Sequence, residues 1–168
     1  MASTNKYDRQ LRLWGANGQE SLGTSHVVLL GASGAVGTET LKNLVLPGIG
    51  GFTVIDDKPM KQSTDPDPGL IQESNFFIPP PTPATDGEFL AAIVASTLGE
   101  MNPEVVANFH CPATPLESFI TTGLESFIRT STTLTYPPPS TPFASGAMST
   151  VLLISNDQVS PQAEQGCH

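Results

Sequence analysis

Between Ser25 and Asp57 the alternation of apolar and polar residues changes period twice. Val27, Val28, Leu29 and Leu30 form an unbroken apolar run closed by Gly31, and such a run suits a parallel strand buried on both faces. Apolar Val36, Leu41, Leu44 and Val45 then recur near helical spacing, which predicts a helix from about Val36 to Leu46, stopped by Pro47-Gly48. Gly51 to Ile55 reads as a second strand and ends in two carboxylates, Asp56 and Asp57. Strand, glycine turn, helix, strand is the order of a nucleotide-binding βαβ unit. There, amides at a helix amino terminus face phosphates, and an acid about 20 residues on takes the ribose hydroxyls. Gly31, Gly34 and Gly37 are the candidate cradle and Asp56 the candidate ribose acid. Their spacing is G-x-x-G-x-x-G, however, and Ser33 and Ala35 stand where bare backbone would let phosphate approach. A tight turn that only packs helix on strand explains the same residues, and Asp56 is then vestigial.

The same reading extends outward. Upstream, Leu11, Trp14 and Leu22 fall on one helical face, with Arg9 and Arg12 beside it. That pattern describes an amphipathic helix covering a sheet, yet Arg, Trp and Tyr at this density also suit a partner interface, and an arginine fork suits phosphate oxygens. Downstream, Gln62 to Gly69 reads as a loop, and Pro79, Pro80, Pro81 and Pro83 as an extended segment. Asp86 is positioned to cap a helix running to about Met101, with Phe89, Leu90, Ile93, Val94 and Leu98 on its apolar face. Asn102-Pro103-Glu104 ends it, and Val105 to Phe109 follows as a third strand. Leu116-Glu117-Ser118-Phe119-Ile120 recurs at Leu124 to Ile128, which predicts helical turns around Gly123. Thr130 to Ser149 reads as an exposed loop and Val151 to Ser155 as a fourth strand. The pattern predicts an α/β fold: a Rossmann-like, mostly parallel, doubly wound sheet that is incomplete at about four strands. Residues 1–25 form an amino-terminal helix and arm, and residues 26–168 the partial Rossmann-like domain, with proline-rich loops near 79–83 and 130–149.

Charge divides the chain. Residues 1–61 carry a net charge of +1 and residues 62–168 a net −10, giving the overall −9. An acidic second part argues against nucleic acid and anionic membranes as its partners. Two cysteines, Cys111 and Cys167, make no disulfide framework, and His26, His110 and His168 have no ligand spacing, so no metal site is expected. No apolar stretch approaches the roughly 18 residues of a membrane span, and no signal peptide opens the chain, so a soluble intracellular protein is the default.

Tyr7-Asp8-Arg9-Gln10-Leu11-Arg12-Leu13-Trp14-Gly15, a spacer, and then the stretch from His26 to Asp57 resemble the amino-terminal half of ubiquitin-like modifier-activating enzymes of the ThiF/MoeB-like class. Thr38 to Asp56 in particular resembles the regulatory, adenylation-inactive branch found in heterodimeric neddylation-activating enzymes. The smaller subunit of the sumoylation enzyme shares the first motif. The resemblance implies a pair of homologous halves, one of which binds ATP and magnesium and adenylates the modifier. The other half, which this chain resembles, holds no nucleotide of its own and reaches across with an arginine, here Arg9. Catalytic halves also carry an arginine beyond the second strand, where this chain has Asn75-Phe76-Phe77. The implied partners are the catalytic subunit and the ubiquitin-like modifier, and the implied location is cytoplasmic and nuclear. Subunits of this kind are several times longer, so a truncated or divergent form is expected. The competing reading from Gly31 to Gly37 in isolation is a stand-alone NAD(P)-binding oxidoreductase, and a third is a nonfunctional truncated product.

Overall fold

The structure is a computed structural model that describes residues 6–60, 75–80, 82, 85, 87–127 and 150–154. Helix α1 (Asp8–Gly23) leads into β1 (His26–Leu30), α2 (Ala35–Val45) and β2 (Gly51–Ile55). Then come α3 (Leu90–Met101), β3 (Val106–His110), α4 (Leu116–Thr122) and β4 (Thr150–Ile154). The four strands form one parallel sheet in the order β3-β2-β1-β4.

The unbroken apolar runs are explained by burial on both faces. In the β1–β2 register Val27 pairs with Phe52 and Leu29 with Val54, and these four point into the main core with α2 and α3. Their neighbours Val28, Leu30 and Ile55 point the other way, into a smaller cluster under Phe119 and Leu124. A strand with apolar partners above and below has no polar face to alternate, so its sequence shows no period of two.

Four expectations are corrected. Leu11, Trp14 and Leu22 do not share a face, because Gly15 has φ 74° and ψ 177° and breaks α1 into two helical runs. The break resets the helical phase: Leu22 packs against the core while Trp14 is 41% exposed. Val36 belongs to no apolar face either, being 81% exposed in the first turn of α2. Finally, α3 begins at Leu90, with Phe89 extended and half exposed. The residues before it are held by a different partner: Phe89 bridges Pro59, Met60 N donates to Glu88 O at 2.7 Å, and Leu90 N donates to Lys58 O at 3.0 Å. Backbone groups committed to that ladder cannot close an earlier helical turn. Asp86, the expected cap, lies outside the described residues, as do the loops at 62–69 and 130–149. Strand β3 starts one residue later than expected, because Val105 N closes a turn onto Asn102 O. The repeated segments are helical, as α4 and as a turn at 124–127.

Candidate functional site

The β1–α2 turn lies at the carboxyl ends of the parallel strands, where open α/β sheets place their ligands. Gly31 has φ 88°, a conformation costly for a residue with a Cβ, and its N–H donates to Ile55 O at 2.9 Å. Two side chains hold the turn from below. Asp56, fully buried at the end of β2, accepts from Ala32 N at 2.6 Å through Oδ2 and from Lys58 N at 2.9 Å through Oδ1. Asn75 Nδ2 donates to the carbonyls of Ala32 and Ser33, both at 3.1 Å. Asn75 Oδ1 accepts from Phe77 N at 3.0 Å and from the Thr38 hydroxyl at 3.2 Å. The turn is therefore bolted to β2 on one side and to the Asn75-Phe76-Phe77 segment on the other.

These contacts decide what the turn can do. Residues 31–34 are all buried. The amide of Ala32, which a phosphate cradle would present outward, is spent on Asp56. Burial pushes the Asp56 carboxyl up, with Asp57 adding to the effect and the amides of Lys58 and Ala32 and the Lys58 charge opposing it. Gly34 caps α2 in extended conformation and Gly37 is buried in its first turn. Among the described residues no group of three His, Cys, Asp or Glu side chains could hold a metal ion. Burial pushes the Cys111 thiol up, with Asp56 contributing, so its thiolate is disfavoured. No helix among the described residues is long and apolar enough to cross a membrane.

Arg9 stands elsewhere, on the first run of α1. It is exposed and makes no ion pair among the described residues, whereas Arg12 pairs with Asp8 at 2.8 Å. The helix that carries it is moored at its amino end to the segment after α3 and at its far end to the turn after α2. Tyr7 Oη donates to Glu104 Oε2 at 2.7 Å and accepts from Asn102 Nδ2 at 3.1 Å. Gly48 has φ 89°, and a Cβ there would sit 2.7 Å from Tyr7 Oη. At the far end Gln19 Nε2 donates to Pro47 O at 2.8 Å, and Gly50 N donates to Leu22 O at 3.2 Å. A Cβ on Gly50 would meet Gly23 O at 2.3 Å. Gly48 and Gly50 leave room for the two ends of α1, while a Cβ on Gly51 would meet Val106 O at 3.0 Å. Asn102, itself fully buried, ties the assembly together by also donating to Val45 O at 2.8 Å.

The structure thus gathers Gly31, Gly34, Gly37 and Asp56 around the β1–α2 turn and sets Arg9 apart on α1. Sequence reasoning misses Asn75 as the second bolt and Asn102 as the hub beneath Tyr7. Each stands in a segment already singled out, Asn75-Phe76-Phe77 and Asn102-Pro103-Glu104, but neither segment names its distant partner.

Residues 7–63 match the model of the ThiF family. Over 104 residues, 62% of this chain, it is 45% identical to the NEDD8-activating enzyme E1 regulatory subunit of Danio rerio and 46% identical to that of Xenopus laevis. It is 37% identical over 102 residues to SUMO-activating enzyme subunit 1A of Arabidopsis thaliana, covering 61% of this chain and 29% of that protein. The chain spans 17% of the length of the two regulatory subunits. Among solved structures, E. coli MccB superposes with TM-score 0.53 at 18% identity, over 71% of this chain and 32% of that one. E. coli TcdA superposes with TM-score 0.51 at 20% identity, over 70% and 46%. Both bear out the Rossmann-like α/β fold.

Proposed function

From a ThiF-family segment in a chain similar to regulatory subunits, we propose a non-catalytic subunit of a ubiquitin-like modifier-activating enzyme in protein neddylation. The chain pairs with a catalytic subunit that binds ATP and magnesium, and it lends Arg9 to adenylation of the modifier. The observation that carries this reading is the contrast between its two charged candidates. Asp56 is enclosed, with both oxygens on backbone amides, while Arg9 is exposed and without an ion pair among the described residues. Asn75-Phe76-Phe77 adds support, since it braces the turn and offers no arginine to a phosphate. A guanidinium supplied across an interface stabilises the charge that develops on the departing pyrophosphate and makes the chemistry depend on assembly.

The test is reconstitution. The chain is mixed with a neddylation-activating catalytic subunit, and modifier-dependent ATP–pyrophosphate exchange is followed. Exchange that requires both chains is the expected result. Exchange by this chain alone, or by the catalytic subunit to the same extent without it, overturns the reading.

A further inference from the structure

The first run of α1 carries Arg9 and has few other ties. No residue of the helix is buried, and Gly15 separates this run from the second one, which Gln19 and Leu22 hold to the body. Across the break the described side-chain link is Trp14 Nε1 to Gln19 Oε1 at 3.1 Å, with the indole lying over Gly18. At its amino end the run is fixed through Tyr7. The phenol oxygen sits between Asn102 Nδ2 and Glu104 Oε2, Lys6 Nζ donates to Asn102 Oδ1 at 2.6 Å, and Gly48 leaves the space the phenol fills. Tyr7 O accepts from Leu11 N at 2.9 Å, so the clamped residue also closes the first helical turn, the turn that contains Arg9.

We infer that Tyr7, Asn102 and Glu104 form a clamp whose role is to position Arg9, so that they act on the nucleotide chemistry without touching nucleotide. The inference rests on the trans-arginine reading. A long, flexible side chain delivers charge usefully only when its Cα is fixed, because each unconstrained torsion dilutes the productive geometry. The clamp supplies that constraint for a helical run with no fully buried side chain. Asn102 and Glu104 are positioning residues, and the Asn-Pro-Glu element after α3 gains a reason to exist beyond ending a helix.

The test has two readouts on the full chain. Hydrogen exchange of the free chain compares wild type with Tyr7→Phe: amides 11–14 exchange about tenfold faster in the variant while those of Val27–Leu30 are unchanged. In the reconstituted enzyme, ATP–pyrophosphate exchange is measured for Tyr7→Phe, Arg9→Ala and the double variant. The clamp predicts a lower kcat for Tyr7→Phe with the modifier's KM unchanged, and no further loss when it is added to Arg9→Ala. Glu104→Gln keeps an oxygen for the phenol and stays near wild type, whereas Glu104→Ala follows Tyr7→Phe. Arg9→Ala impaired with Tyr7→Phe fully active and equally protected overturns the clamp and leaves the trans-arginine reading standing. An additive double variant also overturns it. Arg9→Ala as active as wild type overturns the reading and the clamp with it.

Discussion

Truncating Asn75 tests the bracing of the glycine turn with a magnitude set by named groups. In Asn75→Ala the carbonyls of Ala32 and Ser33 lose their donor and Phe77 N loses its acceptor. The Thr38 hydroxyl keeps Gly34 O and Ala35 O within reach, both at 3.1 Å, and so is not orphaned. Asn75 is 2% exposed, so bulk water does not replace the lost partners freely. A buried polar group left unmatched costs about 1–3 kcal/mol, less for a carbonyl than for an N–H. Counting the Ala32 carbonyl and Phe77 N alone, near the low end, predicts a loss of about 2 kcal/mol, a sizeable share of the roughly 5–15 kcal/mol that holds a domain. Asn75→Asp sharpens the test at pH 7. It keeps an acceptor for Phe77 N but turns an acceptor toward two carbonyls, so it is expected to be no more stable than the alanine variant. Urea unfolding followed by far-ultraviolet circular dichroism measures both. A loss under about 1 kcal/mol for Asn75→Ala, or a wild-type midpoint for Asn75→Asp, refutes the bracing argument.

Gly50→Ala sets a methyl against the Gly23 carbonyl, backbone against backbone, and is expected to destabilise by about 3 kcal/mol or more in the same urea assay. Gly48→Ala is milder, about 1–2 kcal/mol from its positive φ, but it speeds hydrogen exchange in α1 by displacing Tyr7. Burial pushes His26 down, so the folded state binds its proton less readily than the unfolded chain. Stability is then complete above the ordinary histidine value of about 6.5 and falls as pH drops from there toward the folded value; His26→Gln should flatten that slope in urea titrations between about pH 7 and 5. A steeper slope in the variant would contradict the assignment.

What can be read from the residues alone follows the range of the interactions involved. Strand β2 is read to the residue and β1 nearly so, because burial on both faces writes itself as a continuous apolar run. The start of α3 is not, because the bridge between Pro59 and Phe89 that holds Phe89 extended joins residues about 30 positions apart. Gly15 is visible as a glycine, but its positive φ, which decides that Leu11 and Trp14 part from Leu22, is not. Asp56 is visible as the acid that ends β2; that its oxygens face Ala32 N and Lys58 N depends on how the turn folds back. Asn75 and Asn102 are harder still. One reaches across 43 positions to Ala32 and the other across 95 to Tyr7, and no local spacing encodes either.

The central claim is that Arg9 works on a nucleotide held by another chain. Its most direct measurement is the rate of modifier-dependent ATP–pyrophosphate exchange by the reconstituted pair, comparing wild type, Arg9→Lys and Arg9→Ala at saturating ATP. A positioned guanidinium predicts a fall of about a hundredfold or more for Arg9→Ala, with Arg9→Lys between the two because it keeps charge but loses the fork. A pair that assembles normally and exchanges at the wild-type rate with Arg9→Ala would contradict the account.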